Sequence, residues 1–217
     1  MQLGTVKTRY SKKFSYIKDT DEAVHLENYG EYKQKEINLL ALLLSNNVGD
    51  TFVYDVGAGI GTRTIALSKM AAVIAFEHDE DKLKVLKMNT QGKIAPNVMI
   101  VPKSLETTDP HAKDIPNLDG QLMQLPEPTL VCISGDSTRV LRGMTATMML
   151  IKPVIYIDIA NTEDISYQYS ILVERGYKMY WYSCPGFNLN NFKEKQLNIT
   201  ADSFYMNILA IHEDVDI

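Results

Sequence analysis

The sequence predicts an α/β fold in which a seven-stranded, mostly parallel sheet with an antiparallel last strand carries helices on both faces. Three observations predict it. Short apolar, β-branched runs alternate with segments of helical period, the first such run ends in a cluster of glycines, and the last two runs follow one another with no helix between them. Alternating strands and helices imply right-handed parallel crossovers, whereas a directly linked terminal pair is free to turn back antiparallel.

Taken in order, residues 36–44 place Ile37, Leu40, Ala41 and Leu44 at helical spacing, and Asn46-Asn-Val-Gly49-Asp50 supplies a stop and a turn. Residues 51–56 form a compact β-type run that breaks at glycines, after which 62–70 resume a helical pattern. A second strand over 72–77 leads into a helix over 79–88, with acids in its first turn and lysines later, as the helix dipole favours. Residues 97–101 read as a third strand, and the proline-studded stretch 102–128 as a loop with one short helix. A fourth strand (129–133), a helix (137–150), a fifth strand (153–159) and a helix over 164–175 follow, the last stopping at Gly176 where a left-handed cap is required. The terminal strands are 177–183 and 204–212, joined by a long polar connection.

A chain of 217 residues, 45% hydrophobic and 23% charged, is the size of one domain with a full core. We expect an N-terminal arm or lid over 1–35 and the main domain over 36–217. No apolar run approaches the roughly 20 residues of a membrane span. The first residues lack the apolar core and cleavage site of a secretory signal, so a cytoplasmic location is expected. A net charge of −5 argues against a broad phosphate-binding surface. Lys7, Arg9, Lys12, Lys13 and Lys18 then read as a solvated flexible arm rather than a nucleic-acid tether. Cys132 and Cys184 have no partners at metal-ligand spacing, so buried free thiols and no metal are expected.

The chemistry concentrates at Asp55-Val-Gly57-Ala58-Gly59-Ile60-Gly61-Thr62, which closes the first strand. Glycines let the backbone turn sharply and approach a ligand closely, and open α/β sheets bind ligands beyond the carboxyl ends of their strands. The glycines are spaced differently from the dinucleotide fingerprint, because Thr62 stands where its third glycine would lie. Asp55 just before the turn suits the ammonium of a methionine moiety. Glu77, followed by His78, closes the second strand about 20 residues later, where a carboxylate accepts ribose hydroxyls. Together these residues fit S-adenosylmethionine, with S-adenosylhomocysteine as product, in a class I methyltransferase Rossmann-like fold. The alternatives are a turn-stabilising Asp55 and a solvated Glu77.

These motifs resemble the FkbM-like methyltransferases, a class I family associated with O-methylation of sugars and secondary metabolites. Asp55-Val-Gly-Ala-Gly-Ile-Gly-Thr-Arg-Thr64 is similar to the family's D-V-G-A-N-I-G-x-x-T, with Gly59 replacing the asparagine, and Phe76-Glu77-His78 to its F-E-P. Asn117-Leu-Asp119, Val140-Leu-Arg-Gly143 and Lys152-Pro-Val-Ile-Tyr-Ile-Asp158 resemble its later segments, as do Gly176-Tyr-Lys-Met-Tyr-Trp181, Phe187-Asn188, Asn191-Phe192 and Asn207-Ile-Leu209. Upstream, Tyr29-Gly-Glu-Tyr32 and Glu36 look like its lead-in segment, so the resemblance runs from Tyr29 to His212. The departure is Leu130-Val-Cys-Ile-Ser-Gly-Asp-Ser137, where the family carries I-K-I-D-V-E-G-A-E.

The resemblance implies O-methylation of a small molecule or sugar hydroxyl. Asp136, after the fourth strand, and Asp158 are the candidate base or acceptor-orienting residues, although Asp136 equally suits an N-cap. Trp181, Phe187, Asn188, Asn191 and Phe192, on or beside the last long connection, are candidate acceptor contacts or else a satellite core. His25 and the Tyr29–Tyr32 segment suit a lid or ordinary packing. The rival functions are a nucleic-acid O-methyltransferase, a catalytically silent cofactor-binding protein serving a partner and, more remotely, a dinucleotide dehydrogenase.

Overall fold

The structure is a computed structural model describing residues 1–46, 50–92, 94–105, 117–122, 124–159, 162–200 and 203–215. Residues 47–49 of the expected turn over 46–50, and residues 106–116 and 123 of the expected loop over 102–128, lie outside the described residues.

The strands are β1 (Leu3–Val6), β2 (Phe14–Ile17), β3 (Phe52–Val56), β4 (Ala72–Phe76), β5 (Val98–Val101), β6 (Leu130–Ile133), β7 (Val154–Asp158), β8 (Tyr177–Pro185) and β9 (Phe204–His212). The α-helices are α1 (Asp21–Tyr29), α2 (Gln34–Ser45), α3 (Thr62–Leu67), α4 (Glu80–Thr90), α5 (Leu118–Gln121), α6 (Ser137–Arg142) and α7 (Ile165–Val173). Seven strands form one sheet in the order β5-β4-β3-β6-β7-β9-β8. The pairs from β5 to β7 are parallel, and β9 runs antiparallel to both β7 and β8. The expected sheet, including its antiparallel last strand, is the observed one.

Side chains alternate across each strand, so the sheet feeds two cores. Tyr54, Val56, Ile133, Ile155 and Ile157 face the layer that holds Val140 and Leu141 of α6 and Leu172 of α7. Val53, Leu130, Cys132 and Tyr156 face Leu40, Leu43 and Leu44 of α2 and Leu67 of α3. Burial on both faces explains why these strands read as continuous apolar runs rather than as alternating ones.

Two expectations are corrected. The basic run Lys7 to Lys18 is not a flexible arm: β1 and β2 pair antiparallel around it and α1 follows, capped by Thr20 at its start and by Gly30 (φ 68°) at its end. Phe14, Tyr16 and Leu26 are buried with Ile60, Ile65 and Val85. Buried Asn89 of α4 accepts from the Ser15 N–H at 2.7 Å and donates to the carbonyls of Ser15 and Ile60 at 2.9 Å each, tying the hairpin to the glycine turn. The expected helix over 137–150 is also divided. It ends at Gly143, and a π-helical turn (Thr147–Ile151) begins where Asp119 accepts from the N–H groups of Ala146 and Thr147. A side chain from a remote segment thus caps a new turn in mid-pattern. No described helix is long and apolar enough to cross a membrane.

Candidate functional site

Strand order reverses around β3, and the carboxyl ends there open on a cavity of about 390 Å³, within the range of small-ligand pockets. The sheet side of its wall is Gly57, Ala58 and Gly59, Thr62 and Arg63 of α3, Ser134 and Gly135 after β6, and Asp158 and Ile159 after β7. The opposite side comes from Glu22 of α1, Tyr32, Lys33, Glu36 and Ile37, with Lys82 of α4.

The glycine turn is pinned to the end of β4. Gly57 and Ala58 donate to the Phe76 carbonyl at 3.0 Å each, and Gly59 donates to Glu77 Oε2 at 2.8 Å. At Gly57 (φ 73°) a Cβ would lie 2.3 Å from the Ser134 carbonyl oxygen, whereas at Gly59 (φ 60°) it would meet nothing within 4 Å. The first glycine is therefore required by the backbone beside it, and the second leaves open space on the cavity side.

Buried Arg63 organises the charges. Its Nε and Nη2 donate to Asp55 Oδ1 at 2.9 and 2.7 Å, its Nη1 to Asp158 Oδ2 at 3.0 Å and to Glu36 Oε1 at 3.3 Å, and its Nη2 also to Ser134 Oγ at 2.9 Å. Thr64 Oγ1 donates to the other oxygen of Asp55 at 2.6 Å. Lys33 Nζ reaches Asp158 Oδ1 at 3.1 Å and stands 3.9 Å from Glu36 Oε2. Three carboxylates thus face two cations. Burial alone lowers the pKa of Arg63, but the surrounding acids outweigh it and hold the guanidinium well above its ordinary value. Burial likewise pushes Asp158 up, yet Arg63, Lys33 and Ser134 prevail and keep it below the usual carboxylate range. Glu36 behaves oppositely: burial and the nearby Asp158 push it up to about 7 against the partial relief from Arg63 and Lys33.

The expected cofactor residues divide into groups. Gly57, Ala58, Gly59 and Thr62 border the cavity, and Thr62 donates its hydroxyl to Glu22. Asp55 is fully buried and committed to Arg63 and Thr64. Ile60 belongs to the N-terminal core, and Gly61 (φ 92°) packs against Leu86. Glu77 is neither solvated nor a free ribose acceptor. Its Oε1 takes the N–H groups of His78 and Asp79 and its Oε2 that of Gly59, all at 2.8 Å, while the His78 ring is largely exposed.

Of the candidate catalytic pair, Asp158 borders the cavity. Asp136 caps α6 through the Arg139 N–H at 3.0 Å and pairs with the Arg139 guanidinium, the N-cap alternative weighed from the sequence. The candidate acceptor residues do not line this cavity. Trp181 is exposed on the edge strand β8. Phe187 packs on Tyr29, Asn188 and the Phe192 N–H bond to Glu31, and buried Asn191 holds its own loop together through the Asn188 and Lys195 carbonyls. That connection braces α1 and the Glu31 turn. His25 is buried against Tyr29 and Tyr32, of which Tyr32 reaches the cavity.

The site residues missed as such include Glu22, Lys33, Arg63, Lys82 and Ser134; Glu36 figured only in the resemblance. Arg63 carried a signal: a cation in the first turn of a helix opposes the dipole and calls for an acid beside it. Both cysteines are free and buried, and among the described residues no group of three His, Cys, Asp or Glu side chains is placed to hold a metal.

No protein-family model and no curated protein matches the chain. Among solved structures, it is similar to a SAM-dependent O-methyltransferase from Thermotoga maritima (14% identity, TM-score 0.58, covering 99% of this chain and 79% of that one). It is also similar to precorrin-6y C5,15-methyltransferase from Geobacter metallireducens (17%, 0.56, 80% and 88%). A third is magnesium protoporphyrin IX methyltransferase from Synechocystis, solved with bound SAM (12%, 0.54, 83% and 79%). Identities this low establish architecture: the chain has the class I, Rossmann-like methyltransferase fold. They single out no subfamily, and the FkbM-like character stays a resemblance of sequence.

Proposed function

We propose that this chain is an S-adenosylmethionine-dependent methyltransferase that methylates a hydroxyl of a small molecule or sugar. The observation that carries the reading is the cavity at the strand-order reversal, cradled by Gly57 to Gly59 and walled by a charged cluster suited to an amino-acid zwitterion. Two features favour the fit. Gly59 leaves room for a ligand, and Glu36 Oε2 is buried without a hydrogen-bond partner.

When bound, S-adenosylmethionine supplies an electrophilic methyl group on a sulfonium. The chain's task is to align an acceptor oxygen with it and to accommodate the released proton. Alignment alone contributes several kcal/mol. Asp158, ionised between Lys33 and Arg63, accepts a hydrogen bond from the acceptor hydroxyl and orients it. Its depressed pKa makes it a weak base, so positioning is its main contribution. Asp136, engaged with α6, acts on the helix rather than on the acceptor.

One observation favours the second reading, a silent cofactor-binding protein: every carboxylate of the charged cluster is already bonded or ion-paired to Arg63. Methyl transfer from isotopically labelled S-adenosylmethionine to a panel of sugars, nucleosides and phenols separates the two. Label appearing in an acceptor hydroxyl is the expected result. Binding without transfer across the whole panel overturns the enzyme reading.

A further inference from the structure

We infer that Glu36 is the receptor for the α-ammonium group of the cofactor's methionine end, with Lys33 placed for its carboxylate. The inference rests on the proposed cofactor and assigns the polarity of that ligand in the cavity.

Glu36 is 2% exposed and borders the cavity, yet only one of its oxygens is hydrogen-bonded. Its Oε2 has no hydrogen-bond partner, and Lys33 Nζ is 3.9 Å away. A buried carboxylate oxygen without a donor is costly, and it persists where a ligand completes it. An ammonium carries three N–H donors, whereas a sulfonium carries none, so the hydrogen-bonding deficit points to the ammonium. Charge agrees, because Asp55, Glu36 and Asp158 outnumber Arg63 and Lys33 by one. Asp55, the acid expected from the sequence to meet the ammonium, has both oxygens occupied by Arg63 and Thr64.

Binding should therefore be linked to protons. The groups facing Glu36 are Lys33 ahead of α2, Asp55 on β3, Arg63 on α3, Cys132 on β6, Tyr156 and Asp158 on β7, and Tyr182 and Cys184 on β8. Burial raises the tyrosines and cysteines, so they stay neutral near pH 7. Glu36 itself is held up to about 7. A cationic ligand selects its ionised form, so affinity weakens as pH falls through that value and binding at pH 7 releases part of a proton.

The test is calorimetry of the full chain with S-adenosylhomocysteine, which carries the ammonium, and with 5′-methylthioadenosine, which lacks the amino-acid end. We expect Glu36→Gln to weaken S-adenosylhomocysteine by about tenfold or more and to leave methylthioadenosine unchanged. Proton release, read in buffers of different ionisation enthalpy, should vanish in the variant. A distorted or partly unfolded variant weakens both ligands alike, so the ratio isolates the ammonium contact. Equal effects on the two ligands in a variant that melts like the parent, or unchanged proton release, overturn the assignment while leaving the cofactor intact. Failure of the parent protein to bind either ligand overturns the cofactor itself.

Discussion

Arg63 is 10% exposed and holds Asp55, Glu36 and Asp158 around one guanidinium. Replacing it by methionine leaves buried carboxylates facing one another with Lys33 as their remaining cation. Removing one partner of a buried ion pair typically costs about 3–5 kcal/mol, and we expect Arg63→Met to lose stability on that scale in urea unfolding at pH 7.5. The loss should shrink at pH 5, because carboxylates deprived of their cation take up protons more readily in the folded state than in the unfolded one. A loss below about 1 kcal/mol, the scale of exposed pairs, would show that Arg63 does not organise the cluster. The residue scale is also where the sequence was least legible. Gly57 to Gly61 and Glu77 stand out because their meaning is local to two β-to-α turns. The partnership of Lys33, Glu36, Arg63 and Asp158 joins α2, α3 and β7, and no spacing along the chain encodes it.

Within the glycine turn, two similar residues do different work. Gly57→Ala drives a Cβ against the Ser134 backbone at a left-handed φ, so it should damage the turn itself and lower stability and ligand affinity together. Gly59→Ala has free space for its Cβ and carries only a left-handed strain of about 1–2 kcal/mol. It should fold, with its new methyl narrowing the cradle and weakening S-adenosylhomocysteine by several-fold. Thermal melts paired with calorimetry distinguish them, and a Gly57→Ala protein with parental melting and affinity would contradict this assignment. The elements themselves were largely legible, since two-sided burial writes apolar runs into β3, β4, β6 and β7. The hairpin β1–β2 was not. Its strands have four residues each, and the lysines around Phe14 and Tyr16 mask a pair of side chains that find their core only against Ile60, Ile65 and Val85 of the main sheet's flank. The break at Gly143 was hidden similarly, because Asp119 that caps the next turn comes from a separate segment.

Across the whole molecule, the cavity is a joint product of two parts of the chain. The sheet presents the glycine turn, Ser134 and Asp158, and the N-terminal elements present Glu22, Tyr32, Lys33 and Glu36. The connection between β8 and β9 braces the second group through Glu31 and Tyr29, whose hydroxyl accepts from the Ile199 N–H at 2.8 Å. A ligand between the two groups joins them and raises stability by mass action, about 2.7 kcal/mol at a hundredfold excess over its dissociation constant. The measurement that bears most directly on the central claim is titration calorimetry with S-adenosylmethionine and, in parallel, with NAD. One-to-one saturable binding of the sulfonium ligand and none of the dinucleotide is the predicted result. Silence with S-adenosylmethionine, or binding of NAD in its place, would contradict the account.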